Sequence, residues 1–205
     1  MNASPSELQH LSPNASLWHA YDPSVKAELF STAIASAQGI CLVDPIPLDP
    51  SSLKQLQARG SIFAIVITNQ NHWRGSAEFF SRLSVRMFAH EESQFPGSAP
   101  TFTALSDGQQ ITPDLEAITI DGAAPGEIAL FSSIDGGSLI IGDALINFEP
   151  YGFTFLPPKY CSDHRQMKKS LRRLMDLKIA RIFFAHGSPI VARAADRLRG
   201  LFESQ

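Results

Sequence analysis

The sequence predicts an α/β (α+β) chain folded as a four-layer αββα sandwich, with two mixed β-sheets face to face and helices on the outside. Three observations predict it. Short strand-like apolar runs are interspersed with helical stretches, then come closely spaced hairpin strands, then helical patterns again. The run Phe63-Ala64-Ile65-Val66-Ile67 is continuously apolar, as a strand buried on both faces should be. Finally, 205 residues with 44% hydrophobic and 18% charged side chains suffice for one large core but not for two full domains, so residues 1–205 are read as a single domain.

Taken in order, residues 16–35 alternate loosely about a Tyr21-Asp22-Pro23 turn and give two strands. Ile40-Cys41-Leu42-Val43 is a short buried strand that Asp44-Pro45-Ile46-Pro47 stops. Asp49-Pro50-Ser51-Ser52 opens a helix running to Arg59-Gly60, with proline in the first turn, where no intrahelical N–H is needed. The strand at 63–67 ends in a polar stretch, 68–74. Residues 75–83 read as a helix with Ala77, Phe80 and Leu83 on one side, and Val85-Arg86-Met87-Phe88 as a strand. Residues 91–113 are loop-rich. Strands follow at 117–120, 127–131 and 138–141, with Asp135-Gly136-Gly137 as the turn between the last two. Residues 148–160 form an aromatic, proline-rich connection. A helix over 164–177 carries Met167, Leu171, Leu174 and Met175 on its apolar stripe, with Asp163 as its cap. Residues 181–185 make a strand and 190–202 the closing helix.

The net charge of -3 gives no electrostatic reason to expect nucleic acid or an anionic membrane as partner. The basic run Lys168-Lys169 with Arg172-Arg173 flanks an apolar helical stripe and reads as a solvated face. Residues 1–12 lack the apolar stretch of a signal peptide, and no apolar run approaches a membrane span, so a soluble cytoplasmic protein is expected. The two cysteines, Cys41 and Cys161, lie far apart with no C-x-x-C spacing; Cys41 reads as a buried free thiol. The aromatics Phe148, Tyr151, Phe153 and Phe155 suit a ligand pocket, core packing or a homodimer contact equally well.

Four islands carry a resemblance. They are Leu42-Val43-Asp44-Pro45; the segment from Ala64 through Thr68-Asn69-Gln70-Asn71-His72-Trp73-Arg74 to Gly75; Asp121-Gly122-Ala123-Ala124-Pro125-Gly126-Glu127 with Ile140-Ile141-Gly142-Asp143; and Phe184-Ala185-His186-Gly187. In order and spacing this set resembles the metallo-β-lactamase superfamily. The resemblance implies a metallo-β-lactamase-like sandwich whose strand ends carry imidazole and carboxylate ligands for two metal ions that share an aspartate.

Against the family's T-H-x-H-x-D-H pattern, Asn69 and Asn71 stand where two histidines are expected, Trp73 where the aspartate is and Arg74 where the last histidine is. Ala123 replaces a further histidine. Asp143 and His186 are retained, and His72 lies out of step by strict count. The favoured expectation is therefore a degenerate, metal-free site of unknown substrate and not a conventional dinuclear hydrolase. In it Arg74 pairs with Asp143 in place of the lost metal charge, and Asn69, Asn71, His72 and Arg74 offer contacts to a small anionic or carbonyl-bearing ligand. Asp143, His186 and Arg74 are the catalytic candidates. The alternative is a mononuclear hydrolase holding one zinc, iron or manganese ion on His72, Asp143 and His186. A third reading is an interaction module without pocket chemistry.

Overall fold

The structure, a computed structural model, describes residues 7–97 and 99–204. Its first half builds a seven-stranded sheet from β1 (Gln9–Ser12), β2 (Ala15–Asp22), β3 (Ala27–Ser36), β4 (Gly39–Val43), β5 (Ile62–Ile67), β6 (Arg86–His90) and β7 (Thr103–Leu105), adjacent in that order. The first four strands pair antiparallel through short turns, and the last four pair parallel. Parallel neighbours need crossovers, and α1 (Pro50–Arg59) and α2 (Ser76–Leu83) supply two of them. Asp49 caps α1 by accepting from the backbone N–H groups of Ser51 and Ser52.

The second half adds β8 (Gln110–Thr112), β9 (Leu115–Thr119), β10 (Ile128–Ser132), β11 (Ser138–Ile141), β12 (Leu145–Phe148), β13 (Gly152–Phe155), α3 (His164–Arg172), β14 (Arg181–Phe184) and α4 (Ala194–Glu203). Five of these strands form a second sheet in the order β14-β11-β10-β9-β8, with β14 parallel to β11 and the rest antiparallel; β12 and β13 pair as a separate hairpin.

Period-two alternation sorts the side chains into three apolar layers. Cys41, Val43, Ala64 and Val66 face Leu115, Ala117, Ile128, Leu130, Ile140 and Phe183 between the sheets. Ile40, Leu42, Ile65 and Ile67 point the other way, onto Leu53 and Leu56 of α1 and Phe79 of α2. Leu139, Ile141, Ile182 and Phe184 pack against Met167, Leu171, Leu198 and Leu201 of α3 and α4. The αββα layering expected from the sequence is the one observed.

Several elements differ from expectation. The segment 91–113 contains β7 and β8, and the segment 148–160 contains β13, whose hairpin partner β12 lies mostly just before it; each strand is only three or four residues long and so too short to register as a periodic pattern. On α2, Ser76 and Phe79 are the buried residues and Ala77 is exposed. The docking is fixed just before the helix: Gly75 N–H donates to Pro45 O at 2.8 Å, and a Cβ on Gly75 would lie 3.0 Å from that oxygen. The closing helix starts at Ala194, because Ile190 is bonded across to Ile182 and Arg193 takes a left-handed φ of 52°. Asp163 caps α3 as expected, accepting from Gln166 N–H at 2.9 Å, and both cysteines are free thiols. Among the described residues, no helix is long and apolar enough to cross a membrane.

Candidate active site

Four strands release their chains at one edge of the sandwich. β4 ends before Asp44, β5 before Thr68 and Asn69, β11 before Gly142 and Asp143, and β14 before Ala185 and His186. Because β4 runs parallel to β5, and β11 to β14, within each pair these ends lie at the same side. A backbone bond from Phe30 N–H to Ala185 O, 3.0 Å, joins the two sheets there.

His72 reaches the site through a tight 3-10 turn, Gln70–His72, that Asn69 caps by accepting from Asn71 N–H at 2.8 Å. The turn folds His72 inward and leaves Asn71 exposed, so counting along an extended chain put His72 out of step. Asp44, itself buried, anchors the imidazole from behind. Its Oδ1 accepts from Thr68 N–H at 2.8 Å, and its Oδ2 accepts from the Thr68 hydroxyl at 2.5 Å and from His72 Nδ1 at 2.9 Å. That bond places the proton of neutral His72 on Nδ1 and turns the Nε2 lone pair into the site. Burial opposes the ionised form of Asp44, but the His72 charge and hydrogen bond, the Arg74 charge and the Thr68 hydrogen bond hold its carboxyl below the usual range.

His186 has the same arrangement. Its Nδ1 donates to Glu28 O at 3.2 Å, and since a carbonyl can only accept, Nε2 of the neutral ring again carries the lone pair. Both Nε2 atoms face one oxygen, Asp143 Oδ1, at 3.2 Å from His72 and 3.3 Å from His186. His72 Nε2 is buried and has no hydrogen bond of acceptable geometry despite that approach.

The three ligand atoms lie within 4.8 Å of one another. In a tetrahedral site with metal–nitrogen bonds of about 2.0–2.1 Å, adjacent ligand atoms stand about 3.4 Å apart. Each imidazole nitrogen stands at nearly this spacing from the shared carboxylate oxygen, and the two nitrogens lie within 4.8 Å of each other, a donor set that fits a divalent ion. Without one, a proton must lie between them. Burial and the Arg74 charge resist protonation of His72, yet Asp143 and Asp44 outweigh them and push its pKa up to about 9. Burial likewise works against the Asp143 carboxylate, but the His72 charge, and with it the close approach of both imidazoles, holds it well below the usual range. Burial moves His186 down.

Arg74 corrects one expectation. Its guanidinium does not pair with Asp143; it donates to three backbone carbonyls, Phe30 at 2.6 Å, Asp44 at 3.2 Å and Ala185 at 3.3 Å. Asp143 already faces two imidazoles, while the backbone carbonyls where the sheets meet offer the guanidinium fork its acceptors. Asn69 corrects another. It is fully buried, and its Nδ2 donates to Glu127 Oε2 at 2.6 Å and to Asp143 Oδ2 at 3.0 Å, so it has no donor left for a ligand.

Glu127 was not singled out by sequence reasoning, although a glutamate opening the apolar run Glu127-Ile128-Ala129-Leu130-Phe131 was a visible signal. It is 2% exposed. Burial, then the Asp143 charge, push its carboxyl up to about 8, against lowering by His72 and by the hydrogen bonds from Ala144 and Asn69. Ala123 is buried in the layer beneath α3 and α4.

A cleft of about 720 Å³ opens over this edge, with Asn71, His72, Arg74, Asp143 and His186 on its floor and Tyr21, Pro23, Val25, Leu29, Ile46 and Pro47 among its apolar walls. Phe148, Tyr151, Phe153 and Phe155 are not among its lining residues. Phe155 is buried beside Phe202, Phe153 packs on Phe184, and Phe148 meets the exposed ring of Tyr151.

A seven- and a five-stranded sheet between helices, with histidines and a carboxylate gathered at strand ends, define a metallo-β-lactamase-type sandwich. The chain belongs to that superfamily: a family model described as Metallo-beta-lactamase superfamily matches residues 9–205. The crystal structure of DIM-1 metallo-beta-lactamase superposes with a TM-score of 0.70 at 11% identity, covering 98% of this chain and 99% of that one. A metallo-beta-lactamase from Erythrobacter litoralis gives 0.69 at 17% identity, covering 97% and 96%. TTHA1623, solved in a di-iron-bound form, gives 0.62 at 19% identity, covering 80% and 90%. At these identities the likeness establishes the fold alone. No protein of curated function matches the sequence.

Proposed function

We propose that this protein is a hydrolase that works with a single divalent metal ion, held by His72 Nε2, His186 Nε2 and Asp143 Oδ1. One observation carries the reading: two imidazoles whose Nδ1 protons are fixed elsewhere aim their Nε2 atoms at the same carboxylate oxygen, and one of them is buried without a directed hydrogen bond. The donor set, two imidazoles and one carboxylate, suits zinc, iron or manganese. An ion there would supply Lewis-acid polarisation of a substrate carbonyl or phosphoryl oxygen. Asp44 and the Glu28 carbonyl hold the two rings in the ligating tautomer, and the buried setting of His72 keeps bulk water from its inner nitrogen. The apolar walls of the cleft receive the non-reacting part of a small substrate, while the exposed side chain of Asn71 on the cleft lining keeps polar atoms free for it. Arg74 and Asn69, which a metal-free binding protein would need as ligand donors, are engaged by acceptors within the protein.

The test is turnover of a panel of chromogenic carboxylic esters, thioesters, phosphodiesters and lactams by chelator-stripped protein, with and without one added equivalent of zinc, iron(II) or manganese. The expected result is metal-restored hydrolysis of at least one class, abolished in Asp143→Ala and His186→Ala. Absence of turnover with every metal, or rates indifferent to both substitutions, contradicts the proposal.

A further inference from the structure

Beside Asp143 lies a second buried assembly, built on Glu127 and Asn69, neither of which lines the cleft. Glu127 lies just before β10, and its two oxygens serve two partners. Oε1 accepts from the backbone N–H of Ala144, the residue after Asp143, at 3.0 Å; Oε2 accepts from Asn69 Nδ2 at 2.6 Å. The second proton of the same Asn69 nitrogen goes to Asp143 Oδ2 at 3.0 Å, and the Asn69 carbonyl oxygen accepts from Asn71 N–H. Every hydrogen-bonding atom of the Asn69 amide is therefore engaged. Turning the amide over would set its oxygen against the Asp143 carboxylate and its NH2 group against the Asn71 N–H, so its orientation is fixed by its neighbours.

The backbone is shaped around this contact. A Cβ on Gly142 would lie 2.7 Å from Glu127 Oε1 and 2.7 Å from Thr68 Oγ1, so only glycine before Asp143 lets the carboxyl group reach Ala144. Bonds from Ile128 N–H to Thr68 O, 2.8 Å, and from Gln70 N–H to Pro125 O, 3.3 Å, tie the loop carrying Asn69 to the one carrying Glu127.

We infer that Glu127 is a positioning residue for Asp143. Acting on the backbone after Asp143 and, through Asn69, on its side chain, it turns Oδ2 away from the imidazoles and presents Oδ1 alone to a single ion. The inference rests on the one-ion reading above and extends it. The resemblance would place a metal-ligating histidine at Asn69, and there this chain has instead a hydrogen-bonded brace between its two sheets. Glu127 itself is too deeply buried to touch a substrate.

The discriminating variant is Glu127→Gln, which keeps the volume but sets an NH2 group against the N–H of Ala144 or the NH2 of Asn69; Glu127→Ala is its companion. Thermal melts first establish that each is folded. Metal-free protein is then titrated with zinc against a chromogenic chelator, and the visible spectrum of the cobalt(II) form is recorded. The expected result is a zinc dissociation constant raised roughly 10–100-fold in Glu127→Gln, the usual effect of losing a group that orients a ligand, together with a changed cobalt(II) spectrum. A folded Glu127→Gln that binds zinc like the wild type, with the same cobalt(II) spectrum, overturns the inference and leaves Glu127 a space-filling residue. If the wild type takes up no metal, the one-ion reading falls by itself. The positioning role is then read in the metal-free protein from the 13C resonance of the Asp143 carboxyl group, which shifts in Glu127→Gln if the brace holds it and stays put if it does not.

Discussion

Replacing Arg74 with methionine removes the fork that holds three backbone carbonyls at the junction of the sheets. Its acceptors are Phe30 on β3, Asp44 after β4 and Ala185 after β14, at 2.6, 3.2 and 3.3 Å. A hydrogen bond from a charged donor contributes about 1.5–3 kcal/mol, and two of these three are long, so a loss of about 3–5 kcal/mol is expected. For a chain of this size 1 kcal/mol moves the melting temperature by about 2–4 °C, which puts the shift at roughly 6–20 °C. Arg74→Lys keeps the charge but not the planar fork, and falls between the two. The assay is calorimetric melting of metal-free protein, so that the effect is not carried by a bound ion. Two of these carbonyls belong to Asp44 itself and to Ala185, the residue before His186, so zinc affinity should fall as well. An Arg74→Met protein melting within about 2 °C of the wild type would refute the view that this side chain fastens the sheets beneath the site.

Two further predictions concern the histidine pair. In metal-free protein the folded pKa of His72 is raised from 6.5 to about 9 and that of Glu127 from 4.5 to about 8. Their stabilising effect is complete below the unfolded values and is lost as pH rises through the folded ones, so denaturation midpoints should decline from about pH 4.5 through Glu127, and more steeply from about pH 6.5 to about pH 9 as His72 adds its share. Asp44 and Asp143 are lowered from 3.8 and act oppositely, losing stability as pH falls below that value. A midpoint that stays flat from pH 6 to 9, or that declines equally in His72→Gln, contradicts the assignment. Asp44→Asn removes the carboxylate behind His72 and should weaken zinc binding roughly 10–100-fold while the protein stays folded; unchanged affinity in a chelator competition would show that Asp44 does not set the tautomer.

The layering was legible because strands such as β4, β5 and β11 are apolar on both faces and alternate between two cores, a pattern that survives in sequence. Asp143 and His186 were legible because they follow directly on apolar strands. His72 was only half legible: a 3-10 turn, not the register of an extended chain, brings it onto Asp44 and Asp143. The partners of Arg74 could not be read at all, since three carbonyls from strands distant in sequence leave no trace in residue type. Glu127 carried a signal in being a charged residue at the mouth of a buried strand, but Ala144 meets it through the pairing of β10 with β11, and Asn69 only through the packing of one sheet on the other.

The central claim, one metal ion on His72, Asp143 and His186, is tested most directly by elemental analysis of protein purified without added metal and again after equilibration with excess zinc and gel filtration. One equivalent of zinc, iron or manganese per chain is expected, falling to background in Asp143→Ala and His186→Ala. No metal in the wild type after exposure to zinc, or the same equivalent retained in both variants, would contradict it.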